Sequence, residues 1–78
     1  MLLTEAPLDA KTALQEWAQG RGQPLPTYSV LGQEGAAHRP TFTVSVRLGD
    51  RVATGAGSTR RAAEQIAAAK LLQLVAGP

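Results

Sequence analysis

Arg60 and Arg61 stand side by side directly after Gly57-Ser58-Thr59, where Ala62-Ala63-Glu64-Gln65 marks the opening of an Ala-rich helix. A helix start carries free backbone N–H groups and partial positive charge, so it attracts anions. Cations placed there oppose the helix dipole, which suggests that an anion sits beside them. Guanidinium holds phosphate through forked hydrogen bonds, which makes phosphate the natural candidate. Two solvated arginines on a surface turn would have the same sequence, so the pair needs support from elsewhere in the chain.

Two further groups are capable of recognition. Thr12, Gln15, Glu16 and Gln19 recur at i, i+3, i+4 and i+7, which gathers them on one face of a helix. Hydroxyls and amides both donate and accept hydrogen bonds. Such a face suits 2′-hydroxyls and base edges, as in the wide minor groove of A-form RNA; an ordinary solvated face is the alternative. His38, beside Arg39, falls in a loop. A lone histidine without a second ligand at suitable spacing does not imply a metal, but a short side chain on a projecting loop can enter a shallow groove.

Several kinds of chemistry find no support. The six acidic residues, Glu5, Asp9, Glu16, Glu34, Asp50 and Glu64, are scattered and make no cluster suited to a divalent ion. There is no Ser/His/Asp arrangement and no Gly-rich phosphate loop. With no cysteine, disulfides and thiolate metal sites are excluded. A net charge of +2 is too small to imply nucleic acid by itself, so the positions of the charges must carry that case. The first eight residues hold a Glu and a Pro and lack a basic stretch, so they read as neither signal peptide nor membrane span.

The elements that must position these groups follow from periodicity. The 78 residues fit one small domain, expected over residues 9–76, with residues 1–8 as a leader or linker. Asp9 is a good N-cap. Ala10, Ala13, Leu14, Trp17 and Ala18 then form the apolar stripe of a helix, with Trp17 as its expected core anchor, ending near Gly20 or Gly22. Residues 27–33 read as a strand and residues 35–40 as a loop. Phe42, Val44, Val46 and Leu48 then alternate with Thr41, Thr43, Ser45 and Arg47, the clearest strand in the chain. Gly49-Asp50 is a plausible hairpin turn, residues 51–56 form a returning strand, and residues 58–75 form a final helix. Ala63 and Ala67 would let that helix lie close to a sheet, while Lys70 blurs its apolar stripe. The expected fold is α+β, ordered α-β-β-β-α, a three-stranded antiparallel sheet with both helices on one face.

A Thr/Gln helix face, a His-bearing loop and a basic helix start, in this order, resemble the double-stranded-RNA-binding domain, specifically the C-terminal one of bacterial ribonuclease III. The matching segments are Asp9-Ala10-Lys11-Thr12-Ala13-Leu14-Gln15-Glu16, Pro24-Leu25-Pro26-Thr27-Tyr28, Gly35 with His38 and Phe42, and Gly55 through Gln65. The resemblance implies that Thr12, Gln15, Glu16 and Gln19 read one minor groove and that His38 and Arg39 read the next. Ser58, Arg60 and Arg61 would then grip the phosphates between them. It implies double-stranded RNA as partner, a covalently linked nuclease domain, a cytoplasmic setting, no cofactor and no membrane. The chain departs from the wider family in two places. Glu64 stands where many members outside the ribonucleases are basic, so a weaker phosphate grip is expected if it points that way. Ala36 stands where proline is common, so a less rigid loop is expected. The glutamate is frequent in ribonuclease III, whose Glu/Asp-rich catalytic signature has no counterpart here.

Two other readings are distinguishable. The same fold can serve as a protein–protein or dimerisation module, for which Leu72 and Val75 would supply the apolar patch. A free-standing enzyme would need a catalytic constellation that the sequence does not show.

Overall fold

A computed structural model describes residues 9–36 and 38–77; residues 1–8, expected to be a leader or linker, lie outside the described residues. The first helix, α1 (Ala10–Gly20), opens as its cap dictates. Asp9 accepts the Thr12 N–H at 3.1 Å and the Thr12 hydroxyl at 2.7 Å. It closes on Gly22, whose φ of +70° suits a residue without Cβ. The N–H of Gly22 donates to the Gln19 carbonyl and that of Gln23 to the Ala18 carbonyl, the paired bonds of a Schellman end.

Three strands follow: β1 (Thr27–Glu34), β2 (Thr41–Leu48) and β3 (Arg51–Gly57), paired antiparallel in the order β1-β2-β3. Val44, Val46 and Leu48 are buried on one face of β2, as their alternation requires, and Phe42 is half-buried. Val46 faces Tyr28 on one side and Ala53 on the other. Beyond Val30 the β1 register slips by one residue around Leu31, so Gly32 pairs with Thr43. Gly49, at φ +64°, opens the turn between β2 and β3.

The last helix, α2 (Arg60–Ala76), lies on β2 and β3, and α1 packs alongside it. It starts two residues later than expected because Thr59 caps it, its hydroxyl accepting the Ala62 N–H at 3.0 Å. Ala63 and Ala67 do bring the helix close to the sheet. A Cβ at Gly55 would lie 2.8 Å from the Ala63 carbonyl oxygen and collide with the Ala67 nitrogen. Leu14, Ala18, Val46, Leu48, Ala67, Ala68 and Leu71 form the centre of the core.

Two expectations about that core are corrected. Trp17 is half-buried rather than central; Leu14, one turn earlier, takes the fully buried position, and the indole closes the edge of the core with Arg21 stacked 4.7 Å over it. Leu72 and Val75 are not a free apolar patch, because both pack against the core; the large apolar side chains that α2 leaves exposed are Ile66 and Leu74.

Candidate nucleic-acid interface

Arg60 and Arg61 occupy the first turn of α2, with Ser58 just before its cap, and all three side chains are exposed. The β1–β2 loop comes to the same end of the sheet. Phe42, which follows the loop, faces Gln33 on one side and Gly57 on the other. The loop doubles back on itself, with the Arg39 N–H donating to the Ala36 carbonyl at 2.8 Å and Gly35 pressed against the Arg39 backbone. His38 and Arg39 are left exposed at its tip. The loop and the basic helix start are thereby brought together by strand register.

Thr12, Gln15, Glu16 and Gln19 are all exposed along α1, opposite the buried Ala10, Leu14 and Ala18. Hydrogen bonds between the two helices tie the start of this face to α2. The Gln65 amide oxygen accepts the Ala10 N–H at 2.7 Å and the Lys11 N–H at 3.3 Å, and its nitrogen donates to Asp9 at 2.9 Å. Thr12 is itself engaged, since its hydroxyl donates to Asp9. These bonds hold the Asp9 carboxyl at about 2, below its ordinary 3.8, with the Gln65 bond the largest cause.

Glu64 does not project toward solvent as a bare anion. Its carboxylate accepts from Lys11 Nζ at 2.6 Å and from Arg60 Nε at 3.2 Å, and its side chain is only 12% exposed. The Lys11 hydrogen bond is the main reason its pKa is lowered. Lys11 also lies 4.9 Å over the Tyr28 ring. The Tyr28 hydroxyl is buried without a hydrogen-bond partner; burial, then the Glu64 and Asp9 charges, push its pKa up to about 12. Arg61 makes no ion pair among the described residues.

The roles of Lys11 and Gln65 and the second role of Asp9 are not legible in the sequence. Their bonds cross more than 50 residues of chain and depend on how two helices pack. The one local signal was a pair of polar residues, Glu64 and Gln65, interrupting a run of alanines. Among the described residues no group of His, Cys, Asp or Glu could hold a metal ion, and no helix is long and apolar enough to cross a membrane. The candidate groups sit on exposed helix and loop surfaces, which suits an extended partner better than a small molecule.

Comparison with known proteins identifies the family and the fold. Residues 10–75 match the family model described as the double-stranded RNA binding motif. The chain is 54% identical over 69 residues to Ribonuclease 3 of Shewanella denitrificans, covering 86% of this chain and 30% of that protein. It is 59% identical over 68 residues to Ribonuclease 3 of Cereibacter sphaeroides, covering 82% and 28%. It therefore spans less than a third of the length of these relatives. Among solved structures, Arabidopsis HYL1, described for its implications for miRNA processing, superposes with a TM-score of 0.66 at 38% identity over 76% of this chain and 84% of that one. The two-domain DRB4 structure gives 0.72 at 32% identity over 91% and 46%. With the family model matched from α1 through α2 and the same fold in these structures, the chain belongs to the double-stranded RNA binding motif family.

Proposed function

We propose that this chain binds double-stranded RNA by its A-form shape, as the RNA-binding module of a ribonuclease III. Thr12, Gln15, Glu16 and Gln19 on α1 enter one minor groove. His38 and Arg39 enter the next. Ser58, Arg60 and Arg61 take the phosphates across the major groove between them, over roughly 16 base pairs. The A-form major groove is too deep and narrow for side chains to read, so a module that bridges it must contact its phosphate rims. The observation that carries this reading is the meeting of the three groups: strand register joins the loop to the basic helix start, and Gln65 joins the α1 face to the same helix. The ribonuclease assignment is supported by the Ribonuclease 3 relatives. Their greater length supports a covalently linked nuclease domain that acts on the RNA this module holds, in the cytoplasm.

The test separates phosphate contacts from groove contacts. Arg60→Ala with Arg61→Ala is expected to weaken RNA binding by up to several kcal/mol, since charge-assisted hydrogen bonds contribute about 1.5–3 kcal/mol each. The salt dependence should flatten by roughly one unit per lost phosphate contact. Gln15→Ala and His38→Ala are expected to weaken binding with little change in slope. An unchanged slope in the folded double-arginine variant would overturn the phosphate assignment.

A further inference from the structure

The first turn of a helix leaves backbone N–H groups without internal partners. In α1 two of them, on Ala10 and Lys11, are taken by one side chain from the other helix, the amide oxygen of Gln65. The same amide donates through its nitrogen to Asp9 Oδ1, the oxygen that also accepts the Thr12 N–H. Gln65 thus spends both halves of its amide on the start of α1, and it stands one turn beyond Arg61 on α2. We infer that Gln65 is a positioning residue for RNA recognition, setting the angle at which the groove-reading face of α1 stands to the phosphate-gripping start of α2. This inference rests on the interface reading proposed above.

The geometry makes that angle matter. Thr12 to Gln19 spans roughly 10 Å of helix, so a tilt of about 15° about the capped end moves Gln19 by about 3 Å. That is more than a hydrogen bond tolerates. Arg60 and Arg61 would not move with it, because they belong to α2, whose Ala63 and Ala67 are pressed on Gly55. Loss of the Gln65 bonds should therefore degrade groove reading and spare phosphate contact. Bulk alone does not meet the requirement. The site needs an acceptor toward Ala10 and Lys11 and a donor toward Asp9, which glutamine supplies.

Gln65→Glu keeps the size, loses the donor and sets a carboxylate against Asp9. With the fold intact by circular dichroism, duplex RNA affinity is expected to fall about tenfold. The preference for duplex RNA over duplex DNA should shrink, and the salt slope should stay as in the parent. General destabilisation would move neither the preference nor the slope of the folded fraction. Asp9→Asn combined with Gln65→Glu reverses the polarity of the bond while Asn remains a good N-cap. That swap is expected to restore affinity and preference. Parental affinity and preference in folded Gln65→Glu would overturn the inference, and so would a loss that the swap leaves unrepaired. If Gln65→Glu alone does not fold, the swap decides in the same way. Arg61→Ala, measured in parallel, keeps the two levels apart. A flattened slope there with a silent Gln65→Glu removes only the Gln65 inference; an untouched slope there removes the interface reading and the inference with it.

Discussion

Glu64 is an acid at the edge of a helix start proposed to hold phosphate, and its partners explain how it is accommodated. Lys11 and Arg60 both donate to its carboxylate, so the acid is neutralised locally and in turn fixes two cations in place. Asp9 plays the equivalent part on α1, accepting from Thr12 and Gln65. Both carboxyls are held below their ordinary values and so bind protons less readily folded than unfolded. Their contribution to stability is complete above the ordinary value near 4 and is lost as pH falls through the folded value, about 2 for Asp9. The melting temperature is therefore expected to decline between pH 4 and pH 2, and Asp9→Asn to decline less steeply across that window. Parallel acid limbs in the two proteins would show that the Asp9 bonds do not persist in solution. The cap itself was legible, because Asp9 precedes an apolar helical stripe. The bonds from Lys11 and Gln65 were not, because no local pattern encodes a contact between the first and last helices.

At Gly55, α2 lies against β3 with its backbone in close contact. Gly55 faces Ala63 and Ala67 with no room for a methyl group. Gly55→Ala is expected to cost roughly 1–3 kcal/mol as the helix is pushed outward, which lowers the melting temperature by several degrees or more in a domain of this size. A calorimetric scan showing an unchanged melting temperature would mean that α2 does not sit so close. The strict alternation of β2 and the alanines of α2 made this layer readable from the sequence. Depth was harder to read. The stripe Ala10, Leu14, Trp17, Ala18 gives the direction of the buried face, yet Leu14 rather than Trp17 lies at its centre, because position along the helix against the sheet decides burial. On α2, apolar residues surround the helix, so periodicity could not tell the packed Leu72 and Val75 from the exposed Ile66 and Leu74.

At the scale of the whole molecule, a small excess of positive charge becomes informative through placement. The chain carries only +2 net, yet Arg60, Arg61 and Arg39 gather at one end of the sheet, and the polar α1 face of Thr12, Gln15, Glu16 and Gln19 is anchored beside them. A purely electrostatic binder would take any duplex. A module whose α1 and loop enter minor grooves on either side of a phosphate grip requires A-form geometry and 2′-hydroxyls. The most direct test is a competition titration, in which labelled duplex RNA bound to the protein is challenged with unlabelled duplex RNA of unrelated sequence and with duplex DNA of the same length, at fixed salt. Unrelated duplex RNA is expected to displace the label as well as the parent sequence does, and duplex DNA only at far higher concentration. Displacement by duplex DNA as readily as by RNA would contradict recognition by A-form shape.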